Sequence, residues 1–133
     1  MSLLNPNCHL SLGARGERAA EKYLRGHGYK ILARNFSNKT GRRIGEIDII
    51  AKDGEEIVFV EVKTRDKFST RTGLPEENIN PSKLYKLNKI ASYYISCNKL
   101  FSVAYRFDAI SILSDCENNT AELRHLRNIF ISQ

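Results

Sequence analysis

The segment from Ile44 to Thr64, IGEIDIIAKDGEEIVFVEVKT, decides the fold. Two runs rich in β-branched and aromatic residues, Ile44 to Ala51 and Glu56 to Thr64, flank Lys52-Asp53-Gly54-Glu55. An Asp-Gly pair between such runs is the strongest short hairpin signal, because these residues tolerate the positive φ of turns whose twist matches the strands. An antiparallel hairpin is therefore expected. A two-residue turn at Asp53-Gly54 makes Asp48 face Phe59 and Glu46 face Glu61. Paired residues share a face, so Glu46, Asp48, Ile50, Ile57, Phe59, Glu61 and Lys63 fall on one side. Ile47, Ile49, Val58, Val60 and Val62 fall on the other, and this all-aliphatic side is the one expected to be buried.

In that register Asp48 and Glu61 are diagonal neighbours, with backbones roughly 7–8 Å apart, so their carboxylates can converge. Two carboxylates at ~4 Å repel by about 4 kcal/mol at an effective dielectric of ~20, which calls for a compensating cation between them. Oxygen ligands with open positions suit Mg²⁺ or Mn²⁺, and magnesium is typically held by one or two carboxylates, water and substrate phosphate. Lys63 would stand beside the ion, where an ammonium can hold an attacking water or offset charge on a phosphate oxygen. The outline is that of a phosphodiester hydrolysis site.

Outward from the hairpin, apolar Leu12, Ala19, Ala20, Tyr23 and Leu24 follow helical spacing and predict a helix from about Leu12 to Arg25, stopped by Gly26 and Gly28. Ile31 to Phe36 reads as a short strand, and Ser37 to Arg43 as a basic loop. Beyond the long polar segment Asp66 to Ile79, Asn80 as N-cap and Pro81 as first helical residue open a second helix to about Ser96, with Leu84, Leu87, Ala91, Tyr94 and Ile95 on its apolar face. Lys83, Lys86 and Lys89 stripe its exposed side. Val103 to Leu113 alternates as a strand, and Ala121 to Phe130 fits a strand or a short helix equally. The chain reads as one domain over residues 1–133, with 1–11 a candidate for disorder.

The 133 residues are 41% hydrophobic, enough for one core, and 21 basic against 15 acidic residues give +6, which argues for an anionic partner. The longest apolar run, Ile57 to Val60, is far below the ~18 residues of a membrane span, so a membrane partner is not expected. Cys8, Cys97 and Cys116 are odd in number and far apart, which fits a reducing cytoplasm, and Met1 to Leu12 shows no secretory signal. His9, His27 and His125 stand alone, so each is expected to be solvated or packed.

Asp48 followed by Glu61-Val62-Lys63 resembles the bipartite signature of the PD-(D/E)XK nuclease superfamily. More narrowly, Gly13-Ala14-Arg15-Gly16-Glu17 with Ala20, Tyr23-Leu24 and Gly28-Tyr29, then Gly45 to Ile50, Phe59 to Arg65 and Phe107-Asp108, resembles the bacterial YraN-like family. That family is regarded as endonuclease-like and distantly akin to archaeal Holliday-junction resolvases. The resemblance implies an α/β, restriction-endonuclease-like core, a central mixed β-sheet flanked by α-helices. It implies Asp48, Glu61 and the Val62 carbonyl as metal ligands, Lys63 as the catalytic lysine, and Glu17 as a further member of the site. Glu17 shares a helix face with Ala20 and Leu24, which places it at the border of the packed side. Gly45-Glu46-Ile47-Asp48 replaces the superfamily's Pro-Asp, and the role of Glu46 stays open between ligand and turn residue.

Two functions compete. The first is a Mg²⁺- or Mn²⁺-dependent endonuclease on double-stranded or branched DNA, a homodimer by analogy with resolvases. Arg42, Arg43, Arg65, Lys83 and Lys86 would hold the nucleic-acid backbone, with Lys67 and Arg71 in the long loop. The second is a nucleic-acid-binding module on a nuclease fold, its acidic cluster idle, and an RNA partner is equally compatible with the charge. The plain alternative for Asp48, Glu61 and Lys63 is a solvated charged face, and for Glu17 it is the set of routine i,i+4 helix pairs that Glu17 and Glu21 form with Arg18, Lys22 and Arg25.

Overall fold

The computed structural model describes residues 11–66, 81–115, 117–118 and 120–129. The elements are α1 (Leu12–Gly26), β1 (Lys30–Ser37), β2 (Glu46–Asp53), β3 (Glu56–Asp66), α2 (Pro81–Cys97), β4 (Tyr105–Asp115) and β5 (Thr120–Leu126). Among the described residues five strands form one mixed sheet in the order β1-β2-β3-β4-β5. The pair β3 and β4 is parallel and the others antiparallel. Parallel neighbours need a crossover, and α2 supplies it. The architecture is α/β, as the motif blocks imply, and is consistent with a restriction-endonuclease-like core.

Both helices begin and end near their sequence signals. Ser11 caps α1, its hydroxyl accepting from the Ala14 N–H at 3.1 Å. Past the helix end Gly28 takes φ 87, a conformation that favours glycine. The proposed N-cap Asn80, the loop residues Lys67 and Arg71, and residues 1–10 lie outside the described residues.

The hairpin is present, but its register differs from the expected one. Asp53 pairs with Glu56 and Ile50 with Phe59, so the turn centres on Gly54-Glu55, one residue later than Asp53-Gly54. Gly54 has φ 62 at the first central position, where a type II′ turn needs glycine. The shift moves both strands by one residue, which preserves faces and changes partners. Continued one step past its last pair, Ile49 with Val60, this register leads Asp48 toward Glu61 instead of Phe59.

The expectation of one buried and one charged face is also corrected. Ala20 and Leu24 of α1 pack on Ile49, Ala51, Val58, Val60, Val62, Ile110 and Ile112. On the opposite face, Leu87, Ile90, Ala91 and Tyr94 of α2 cover Ile47, Ile50, Ile57, Phe59 and Phe107. Each fully buried Ile or Phe contributes roughly 1.5–3 kcal/mol, so Ile50, Ile57 and Phe59 are structural anchors for α2. Ile47, expected beside Ile49, lies with Ile50 instead.

That reversal locates a break in the alternation. Along β1, Ala33 and Phe36 both meet the α2-side core, and their β2 partners are Ile50 and Ile47. Between them stand Asn35, with φ 49, and Asp48. The two strands turn over together at this point, and Asp48 is carried out of the regular pleat.

The segment left open between strand and helix is a strand. The Asp115 carboxylate accepts from the backbone N–H and side-chain amide of Asn118 at 3.2 and 2.7 Å, which reverses the chain at once. Residues from Thr120 then pair back along β4, and Leu123 packs against the α1-side core.

Candidate active site

The site forms where β2 and β3 part. The last pair of their ladder is Ile49 with Val60, and one step beyond it Asp48 stands beside Glu61. The Val62 N–H donates to the Asp48 carboxylate at 2.8 Å, so a side chain replaces the missing strand partner. N–H and C=O of one strand residue point to the same edge, and the Val62 carbonyl is therefore directed toward that opening.

Two close packings bring helices to it. A Cβ on Gly16 would lie 1.8 Å from Thr64 Oγ1, so α1 can touch the end of β3 only through glycine, and Glu17 follows directly. A Cβ on Gly45 would lie 3.2 Å from the Lys86 carbonyl, so the chain entering β2 runs against α2 near Lys83.

The charges are mutually dependent. Burial, and next the charge of Glu61, push Asp48 up to about 7. Glu61 is itself buried, with Lys83 Nζ at 3.0 Å and Lys63 Nζ at 3.6 Å from the same oxygen. Burial and the Lys83 amine within hydrogen-bonding reach lower the Lys63 pKa. Burial also acts to lower Lys83, but its hydrogen bond with Lys63 and the charge of Glu61 prevail and raise it. Glu17 is raised by burial and by the charges of Glu46 and Glu61, while a hydrogen bond from Asn35 opposes the shift. Three acids from α1, β2 and β3 thus sense one another electrostatically. Two amines stand on one side of them.

Other expected residues fall around this centre. Glu46 is exposed and paired with Arg43 at 2.6 Å, which makes it a rim residue. Asn38 shapes the loop holding Arg42 and Arg43, its amide donating to the carbonyls of Thr40 and Arg42 and its oxygen accepting from the Ile44 N–H. Lys86 is exposed on α2, and Lys89 lies over the Tyr85 ring at 5.0 Å. Arg65 is buried in β3, unlike an exposed phosphate-binding arginine. Lys83 leaves the lysine stripe and turns inward, which the sequence reading did not foresee.

Asn35 and Arg34 were also missed. Arg34 joins Glu21 through Nη2 at 2.7 Å and through Nε, and with Arg25 it holds Glu21 down to about 2. These residues border a cleft of about 530 Å³ between α1 and the sheet, with Glu17 and Asp48 in its lining beside Arg18 and Lys22. The expectation of helix pairs on α1 is met by Glu21 and Arg25, 3.1 Å apart.

Phe107-Asp108 serves a second polar centre. Asp108 is fully buried and accepts from Arg106, from His125 at 2.8 Å and from the Asn128 N–H at 3.0 Å. These donors, with burial working against them, hold its pKa low. His125 also meets the Tyr23 hydroxyl at 3.1 Å, tying α1 to β5. His125 is thus a packed histidine, and Asp108 is a saturated buttress.

Among the described residues no three His, Cys, Asp or Glu side chains form a metal cage, and no helix is long and apolar enough to cross a membrane. Asp48, Glu61 and the Val62 carbonyl are all oxygen donors, the ligand type that a hard cation takes. Magnesium characteristically uses one or two carboxylates and completes its shell with water and phosphate.

The family model described as "Uncharacterised protein family UPF0102" matches residues 16–112. A UPF0102 protein of Caldicellulosiruptor saccharolyticus is 40% identical over 119 residues, covering 90% of this chain and 96% of that protein. One of Syntrophomonas wolfei is 44% identical over 119 residues, with the same coverages. A third, of Thermodesulfovibrio yellowstonii, is 45% identical over 121 residues, covering 91% and 96%. The matched region runs from Gly16, packed on Thr64, through Glu61 and Lys83 to the end of the α1-side core. This chain belongs to the UPF0102 family, the YraN family that its motif blocks resemble.

Proposed function

We propose that the protein is a metal-dependent endonuclease that hydrolyses DNA phosphodiester bonds, with branched or structured duplexes as the substrate class. The observation that carries this reading is the pair Asp48 and Glu61 at the parting of β2 and β3, with Lys63 beside them. Asp48 near neutrality is a carboxylate held against its own charge, a state that a divalent ion relieves.

Asp48, Glu61 and the Val62 carbonyl would hold Mg²⁺ or Mn²⁺, and Glu17 would approach from α1. When bound, the ion supplies Lewis-acid polarisation of the phosphate and a more acidic water. Lys63, its pKa lowered by burial, orients the attacking water and takes up or returns a proton at Nζ. Arg42 and Arg43 on the Asn38-ordered loop, and Lys86 on α2, contact backbone phosphates. Action in the cytoplasm and as a homodimer that cuts two strands belong to the same proposal.

A second reading has its own support. Lys63 and Lys83 already offset Glu61, so the acidic cluster can persist in a nucleic-acid-binding module without catalysis. Incubation with supercoiled, linear and branched DNA plus Mg²⁺ or Mn²⁺, against Asp48→Ala and Lys63→Ala, separates the two. Cleavage by wild type alone is expected. Equal binding by all three with no cleavage of any substrate would overturn the enzymatic reading.

A further inference from the structure

Lys83 is the third residue of α2, in a first turn that holds no acidic residue. A helix N-terminus carries partial positive charge, so a lysine there is locally unfavourable. Its ammonium nevertheless turns back onto Glu61 at 3.0 Å, closer than the 3.6 Å of Lys63 to the same oxygen. The two amines also stand within hydrogen-bonding reach of each other, a like-charge approach that the Glu61 and Asp48 carboxylates offset. Where local rules are broken twice at one point, function is the usual reason.

We propose that Lys83 is a displaceable counter-cation: it neutralises Glu61 in the metal-free protein, yields that place to a divalent ion bound between Asp48 and Glu61, and then turns to a substrate phosphate. The inference rests on the reading of Asp48 and Glu61 as metal ligands. The fold permits the exchange without moving a helix. Leu87, Ile90, Ala91 and Tyr94 fix α2 in the core, whereas the Lys83 side chain is 31% exposed on a flexible four-carbon stem. Lys63 rises from the middle of the β3 and β4 pairing, opposite Ser111, and keeps its post beside the opening. The ion therefore binds against an internal competitor, and the ammonium it releases becomes available at the moment substrate phosphate needs a partner.

The test is Mn²⁺ binding by calorimetry at low salt, on the full chain freed of metal, for wild type, Lys83→Gln and Lys86→Gln. Lys83→Gln is expected to bind about tenfold more tightly, and Lys86→Gln like wild type. In parallel, lysine side-chain NMR of wild type follows the Lys83 signal, assigned with Lys83→Arg, during Mg²⁺ addition. The signal is expected to move to the position of a solvated ammonium, a readout that does not depend on the folding of Lys83→Gln. Equal affinity of wild type and Lys83→Gln, or a Lys83 signal unmoved at saturating Mg²⁺, overturns the exchange and leaves the ligand assignment standing. Absence of divalent binding in every protein overturns both.

Discussion

Replacing Asp48 by Asn removes a charge that the metal-free fold holds at a cost. The Asp48 pKa rises from 3.8 to about 7 on folding, through burial and the charge of Glu61, which corresponds to about 4 kcal/mol between the ionised and neutral forms. A raised carboxyl pKa means that the folded state binds the extra proton, so its stabilising contribution is present at acid pH and lost as pH rises toward 7. Asparagine keeps an oxygen that can accept the Val62 N–H and carries no charge. In chelator, Asp48→Asn should therefore be more stable than wild type at pH 8, and its advantage should grow by roughly 2–3 kcal/mol between pH 5 and pH 8. Urea denaturation at the two pH values measures this. Mn²⁺ should raise the midpoint of wild type and leave that of Asp48→Asn unchanged. A variant less stable than wild type at pH 8, or a difference independent of pH, would refute the view that Asp48 is a compressed charge.

Further outcomes follow from the packing and the charges. Gly16→Ala should lower stability by about 1–3 kcal/mol despite the better helix propensity of alanine, because the new Cβ meets Thr64; thermal melts would show it. Asp108→Ala leaves Arg106 and His125 without their buried acceptor and should cost about 3–5 kcal/mol in urea, with Mn²⁺ affinity of the folded protein unchanged. Arg42→Ala and Arg43→Ala should each flatten the salt dependence of DNA binding by about 0.9 in log-log slope, read by anisotropy titrations at several salt concentrations.

Much of the fold was legible because the pattern was local. The Asp-Gly pair announced the hairpin, and Pro81 and the apolar spacing of Leu84, Leu87 and Ala91 announced α2. The register was not legible, since a glycine serves either central position of a tight turn, and only the ladder shows that Gly54 takes the first. The burial of Ile50, Ile57 and Phe59 was missed for a related reason. The alternation grouped those residues with Asp48 and Glu61, and charged residues at one end of a strand say nothing of what covers the other end.

The site itself was legible as residue types. Asp48, Glu61 and Lys63 are all on the expected strands; Glu61 and Lys63 keep the face the alternation assigned them, beside Lys83 of α2, whereas Asp48 leaves the pleat and lines the α1-side cleft with Glu17. What the sequence concealed is long-range. Lys83 fits a stripe with Lys86 and Lys89 at helical spacing, and its inward turn depends on how α2 lies over β3. Asn35 gave no signal, because a left-handed residue within a strand is specified by the Asp48 break opposite it. Arg65 was expected to reach the nucleic-acid backbone, yet β3 continues through Asp66 and buries it.

We propose above all that the parting of β2 and β3 is a divalent-ion site. Anomalous diffraction from crystals soaked in Mn²⁺ tests it most directly. A peak is expected within bonding distance of both the Asp48 and Glu61 carboxylates and of the Val62 carbonyl, lost in Asp48→Asn. No peak there at saturating Mn²⁺, or carboxylates turned away from a common point, would contradict it.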